Sequence, residues 1–234
     1  MQSAEKSDCA IRVQSLCGIA LTKKYYFSVE GDTEVWYLDW LRDMINSAPE
    51  RKCNVSFVRK KESDPIRFVK GLTLQGKATI FHLSDYESNE HEHQLLFTRT
   101  MDKMREAERQ GKNVKYRFGY SNFTFDLWII LHQDSCLGQI SDRSQYLKKI
   151  NSAFGEEFLS MDEYKEDGNF HRCLSKLTLD DVREAVRRSE KIMSHNAENY
   201  SSVEYKKFKY YRENPSLDVG SIIGGVLKEC GLMS

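Results

Sequence analysis

The chain is poor in the residues that punctuate and cross-link. Only three prolines occur in 234 residues, so no proline-rich linker divides it. Its six cysteines, at 9, 17, 53, 136, 173 and 230, form no Cys-x-x-Cys pair. That scatter excludes a compact zinc knuckle and a disulfide framework, and it points to a reducing, cytoplasmic setting. Net charge is missing too, with 35 basic residues against 35 acidic ones. A basic field over the whole surface is excluded, so any contact with nucleic acid must come from local patches or a bridging cation. No apolar run approaches the roughly 20 residues of a membrane-spanning helix. The stretch Cys9–Leu21 is only mildly apolar and is broken by Arg12, Gln14 and Gly18, which does not read as a signal peptide. Gly-x-Gly-x-x-Gly after the first strand and the Gly-rich Lys-Ser/Thr phosphate loop are both absent. Dinucleotide binding is therefore disfavoured, and any ATP hydrolysis belongs to a partner.

What is present is a regular alternation. Short apolar runs at 24–29, 53–59, 78–83 and 113–120 read as strands. Helical spacing falls between them at 33–46, 65–74 and 91–110, and a further apolar helix is expected at Phe123–His132. Asp32 and Thr33 are suited to cap the first helix. Strand-helix alternation predicts an α/β fold with a central, mostly parallel sheet flanked by helices. The second half reads differently, with helices expected at 143–154, 179–198 and 216–230 and an irregular polar stretch at 155–177. The organisation expected is an N-terminal extension at 1–21, the α/β domain at 22–133, and a helical region at 134–234 packed on the sheet.

Two of the strands end abruptly in carboxylates. Tyr25-Tyr26-Phe27-Ser28-Val29 runs into Glu30-Gly31-Asp32-Thr33-Glu34, and Ile80-Phe81-His82-Leu83-Ser84 runs into Asp85-Tyr86-Glu87. Open parallel sheets bind ligands in the crevice beyond the C-terminal ends of their strands. Side by side, the two strand ends place Glu30, Asp85 and Glu87 within reach of one hard divalent ion, Mg²⁺ or Mn²⁺, with Glu34 one helical turn away. Asp85 and Glu87 are one residue apart and point the same way in an extended segment. Gly31 allows a sharp turn and a close approach. Such a centre suits phosphodiester hydrolysis, with Glu30 holding the ion or taking a proton from water. The competing reading for each acid alone is helix capping.

Basic residues supply the candidate phosphate contacts. Arg59-Lys60-Lys61 ends the second strand near the same crevice, and Lys206 and Lys207 sit in a basic-aromatic stretch, Tyr205 to Arg212. Asn122 and Asp126 bracket the start of the Phe123–His132 segment, Asn122 as a cap and as a further candidate nucleic-acid contact. His91, His93 and His132 are read as solvated or structural.

These motifs carry a family resemblance. Val29-Glu30-Gly31-Asp32-Thr33-Glu34 with Ser84-Asp85-Tyr86-Glu87 resembles the TOPRIM domain, which has a glutamate after its first strand and an Asp-x-Asp after its third. Tyr120-Ser121-Asn122-Phe123-Thr124-Phe125-Asp126-Leu127-Trp128, continuing to His132, is similar to the Ser-Asn-Pro-x-Phe-Glu-Leu-Trp signature of RloB-like proteins, small TOPRIM proteins of bacterial anti-phage loci. Glu213-Asn214-Pro215-Ser216 resembles an Asn-Pro-Ser/Thr element of that group. The resemblance implies a TOPRIM-like (Rossmann-like) sheet and a Mg²⁺-dependent nuclease acting on DNA or RNA, tRNA included, in abortive infection. It implies control by a partner ATPase, and self-association is a further expectation. It assigns Glu30, Asp85, Glu87 and Asp126 to the catalytic centre. Three positions depart from the pattern: Glu87 stands for Asp, Phe123 for proline and Asp126 for glutamate. The alternative reading is a non-catalytic regulatory or binding subunit that keeps the fold.

Overall fold

The computed structural model describes residues 21–136 and 144–234. Nearly all of the expected N-terminal extension, with Cys9 and Cys17, lies outside them. In chain order the first half runs β1 (Thr22–Val29), α1 (Asp32–Ser47), β2 (Asn54–Lys61), α2 (Pro65–Gly71), β3 (Ala78–Tyr86), α3 (His91–Ala107) and β4 (Val114–Asn122). All four strands are parallel, in the order β2-β1-β3-β4. The α/β sheet with helical cover expected from the alternation is the fold observed.

The second half continues with α4 (Asp126–Ile130), α5 (Gln145–Phe154), α6 (Met161–Tyr164), α7 (Asp167–Leu174) and α8 (Leu179–Asn199). A short hairpin of β5 (Val203–Tyr205) and β6 (Phe208–Tyr210) precedes α9 (Val219–Glu229). Three local expectations change. The Phe123–His132 helix shrinks to α4, because Phe123 takes a left-handed φ of 60° and cannot start it. The stretch 155–177 is not irregular, since it holds α6 and α7, each too short to show a helical period in sequence. The basic-aromatic stretch folds as the hairpin, with Lys206 at φ 58° in its two-residue turn.

Strand alternation divides the core in two. Odd-numbered residues of β1 and β3, among them Phe27, Val29, Phe81 and Leu83, share a cluster with α1, α4, α8 and α9. Even-numbered residues of β3 and β4, among them Ile80, Tyr116, Phe118 and Tyr120, pack with α2, α3 and the hairpin. Both faces are covered, which is why the strands read as nearly continuous apolar runs. The later helices share the first cluster with β1, so both halves of the chain contribute to it.

Close packing fixes two glycines. A Cβ on Gly119 would lie 2.6 Å from Ile222 Cδ1 of α9 and 2.7 Å from Leu83 Cδ2. One on Gly220 would lie 1.8 Å from Ser189 Oγ and 2.6 Å from its Cβ, so α9 sits on α8 only because that side chain is missing. We expect Gly220→Ala to cost about 1–3 kcal/mol by forcing α8 and α9 apart, read as a lower midpoint in urea unfolding. An unchanged midpoint would show that the contact relaxes freely.

Cys53, Cys136, Cys173 and Cys230 are buried and form no disulfide among the described residues. Among the described residues no helix is long and apolar enough to cross a membrane.

Candidate metal centre

The strand order places the carboxylates. From β1 the chain moves outward to β2 on one side and then returns to β3 and β4 on the other, so the direction of winding reverses between β1 and β3. That switch point is where open α/β sheets leave a crevice at their C-terminal ends. β1 and β3 run in register from Tyr26↔Ile80 to Ser28↔His82, which brings Glu30 level with Ser84. The Ser84 hydroxyl donates to Glu30 Oε1 at 2.9 Å, and the Asp85 N–H donates to Glu30 Oε2 at 3.2 Å. The two strand ends that the sequence pairs are therefore joined by direct bonds.

A crevice of about 330 Å³ opens there, with Glu30, Glu34, Asp85 and Glu87 in its walls beside Lys61 and Lys165. Glu34 lies in the first turn of α1 and is buried, with the Thr33 hydroxyl donating to its Oε2 at 2.8 Å. Asp126 is wholly buried at the start of α4. Its Oδ2 accepts from the Thr124 hydroxyl at 2.8 Å and from Lys165 Nζ at 2.9 Å, while Oδ1 has no partner among the described residues. Gly31 is the N-cap of α1 in an ordinary extended conformation, and neither Asp32 nor Thr33 takes the capping place. Its missing side chain matters for space, since a Cβ would stand 2.6 Å from Glu34 Oε2.

Crowding of like charge marks the crevice. Burial, with Glu34, Glu30 and Asp126 nearby, holds the Asp85 carboxyl well above the usual carboxylate range, and Lys165 works the other way. Burial also raises Glu34 against the Thr33 hydroxyl, with Asp126 adding to the rise and Lys165 opposing it. Glu30 is raised by burial despite its bonds to Ser84 and Asp85, and Glu34 and Glu87 add to that. Five acids thus act on one another across a small space, with Lys165 as the counter-charge to Asp85 and Glu34.

Glu87 stands apart. It lies one residue past the end of β3, where the pleat no longer sets its direction, and its carboxylate is 3.2 Å from His93 Nε2. His93 Nδ1 in turn lies 2.7 Å from the Ser88 hydroxyl. Among the described residues, no three His, Cys, Asp or Glu groups stand close enough together to hold a metal ion. Glu30, Glu34, Asp126 and Glu87 are turned instead to hydroxyls, an N–H, Lys165 or His93. The chemistry of the set nevertheless fits a hard divalent ion: every donor is oxygen, the acids repel one another, and Asp126 Oδ1 is buried without a partner.

A family model described as RloB-like protein matches residues 25–224. The chain belongs to the RloB-like family. Comparisons with curated proteins and with solved structures returned no match. The match runs past the sheet to α9, so it includes Lys165, which sequence reasoning missed. One departure from the RloB-like pattern has a structural counterpart: the φ of 60° at Phe123 is one that a proline ring excludes.

The expected nucleic-acid contacts divide. Lys61 reaches the crevice wall, held by Asp32 at 2.6 Å in a bond exposed at both ends. Arg59 is tied to Asp39 at 2.5 Å, and Lys60 to Glu62 at 3.4 Å. Asn122 is the last residue of β4 and does not cap α4; its side-chain amide donates to the Glu213 carbonyl at 2.5 Å. Lys206 and Lys207 pair with Asp102 and Glu108 of the α3 region and line none of the crevice. His132 is structural: its Nδ1 lies 3.0 Å from the Trp128 carbonyl, its Nε2 3.2 Å from the Tyr37 hydroxyl, and burial holds its pKa down to about 4.

Proposed function

We propose that this RloB-like protein is a divalent-metal-dependent nuclease that hydrolyses phosphodiester bonds of DNA or RNA at the switch-point crevice. The observation that carries the reading is the meeting of Glu30, Glu34, Asp85 and Asp126, with raised affinity for a proton at three of them, around one lysine. A bound Mg²⁺ or Mn²⁺ would polarise a phosphoryl oxygen and make water more acidic. Asp85 and Glu34 would hold it, and Asp126 Oδ1 is a further buried oxygen without a partner among the described residues. Glu30, anchored by Ser84 and the Asp85 N–H, is the fixed acceptor for a proton. Lys61 supplies the phosphate contact, because an ion pair with both partners more than half exposed costs little to exchange. ATP hydrolysis, where the activity is gated by it, belongs to a partner chain, and anti-phage defence is the setting the family suggests.

A second reading is favoured by Lys165. An ammonium 2.9 Å from Asp126 can serve as the permanent counter-charge of a site that binds no ion, in a regulatory subunit that keeps the fold. Purified protein incubated with Mg²⁺ or Mn²⁺ and a panel of single- and double-stranded DNAs and RNAs decides between them. We expect cleavage that falls at least about 100-fold in Glu30→Ala and Asp85→Ala, with Glu190→Ala, an exposed residue of α8, unaffected. Equal residual activity in all three variants would reject the nuclease.

A further inference from the structure

Beside Asp85 and Asp126 lie polar groups that are buried with nothing to bond. The hydroxyls of Ser121 and Tyr164 and the Oδ1 of Asp126 each lack a hydrogen-bond partner among the described residues. Ser121, Asp126 and Tyr164 are all buried, at 1%, 0% and 0% exposure. Native folds leave few buried polar groups unpaired, because each gives up water and gains nothing for it. Donors and an acceptor left over in one neighbourhood therefore call for a reason.

The fold holds both hydroxyls in place. Ser121 is the register partner of Asp85 in the parallel β3–β4 pair, so the two side chains are neighbours on one face of the sheet. An antiparallel bridge between Ser121 and Leu217 fixes β4 from its other side. Tyr164 ends α6, which Ser160 caps. Its ring lies against those of Phe158 and Phe170, with centroids 5.7 and 5.6 Å away. Burial first, and then the charge of Asp126, holds the Tyr164 phenol well above its ordinary range, so at neutral pH it keeps its proton to donate. Asp126 is thus near enough to act on this hydroxyl, yet no well-formed bond joins the two.

Lys165 explains why the bonds are unmade. It holds Asp126 by Oδ2 at 2.9 Å, on the same oxygen as the Thr124 hydroxyl. A cation entering the crevice competes with that lysine and attracts Asp85 and Asp126 to itself. Carboxylates that bind a metal are in turn held by hydrogen bonds from behind, which fix their direction. A hydroxyl that has no bond to break meets that need without loss elsewhere. We propose that Ser121 and Tyr164 are positioning residues of the metal centre, their hydroxyls donating to Asp85 and Asp126, respectively, once a divalent ion has turned those carboxylates. The inference rests on the metal reading of the crevice and adds to it two residues that touch neither ion nor substrate.

Mn²⁺ binding to the full chain, read from the paramagnetic-resonance signal of the free ion, is the test. Tyr164→Phe and Ser121→Ala each remove one oxygen that carries no bond in the ion-free protein. Ion-free thermal unfolding is therefore expected to stay where it is or to move up in both. Mn²⁺ affinity is expected to fall about 10–100-fold in each, and binding should be lost altogether in Asp85→Asn. A purely structural hydroxyl predicts the reverse pattern, lower ion-free stability with the affinity kept. A lower ion-free melting temperature, or unchanged affinity in either variant of a wild type that binds, overturns this proposal alone. A wild type that binds no Mn²⁺, or binding that survives Asp85→Asn, overturns the centre itself and the proposal with it.

Discussion

Lys165→Met is expected to lower the melting temperature by roughly 6–20 °C at neutral pH, from about 3–5 kcal/mol lost when one partner of a buried ion pair is removed. Asp126 is fully buried, and Lys165 Nζ is the cation bonded to it. The lysine also counters the raised affinity of Glu34 and Asp85 for protons, so its loss leaves several acids facing one another. The deficit should shrink as the pH falls, because protonation neutralises the same acids. A double variant, Lys165→Met with Asp126→Asn, should recover much of the loss, since an amide can accept the Thr124 hydroxyl without a charge to balance. Divalent metal gives the decisive comparison. If an ion and the lysine compete for the same carboxylates, Mg²⁺ raises the melting temperature of Lys165→Met more than that of the wild type. Equal shifts, or none in either protein, would show that the lysine alone balances the site.

How far the sequence carries this picture depends on distance along the chain. The runs Tyr25–Val29 and Ile80–Leu83 are legible because both faces of the sheet are covered, so burial leaves an unbroken apolar signature. Glu30 and Asp85 are legible because a carboxylate ending such a run lies at the ligand-binding side of the sheet by construction. Lys165 carries no comparable signal. It follows a four-residue helix whose only local mark is Ser160, which accepts the Glu163 N–H at 3.1 Å as a cap. That mark could have placed the helix start, but not the lysine against Asp126. The hairpin shows the converse case. Lys206 and Lys207 have the composition of a phosphate-binding patch, yet the fold lays them over Asp102 and Glu108, about a hundred residues earlier. Pairing across that separation leaves no trace in local composition. Glu87 does reach the crevice wall, but its direction is not legible: period-two alternation holds only inside a strand, and β3 ends at Tyr86.

Asp85→Asn is the variant in which stability and function should part. In the folded state the Asp85 pKa is raised, so the native protein holds this proton more tightly than the unfolded chain does. By linkage, the stability this group contributes is complete below the unfolded carboxylate pKa and is lost as pH rises through the folded value. At neutral pH the charged form is therefore a burden. Its removal should stabilise the fold on the order of 1–2 kcal/mol, or roughly 2–8 °C. The gain should shrink as the pH falls toward the unfolded carboxylate pKa, because the raised group takes up its proton first in the folded state. No side-chain hydrogen bond from Asp85 is lost in the exchange, and the Asp85 N–H that holds Glu30 is kept. Cleavage with Mg²⁺ should nevertheless fall at least about 100-fold. Higher stability with lost activity is the mark of strain kept for function. Higher stability with unchanged nucleic-acid chemistry would place the metal elsewhere. A melting temperature that falls at neutral pH would remove the repulsion on which the whole centre rests.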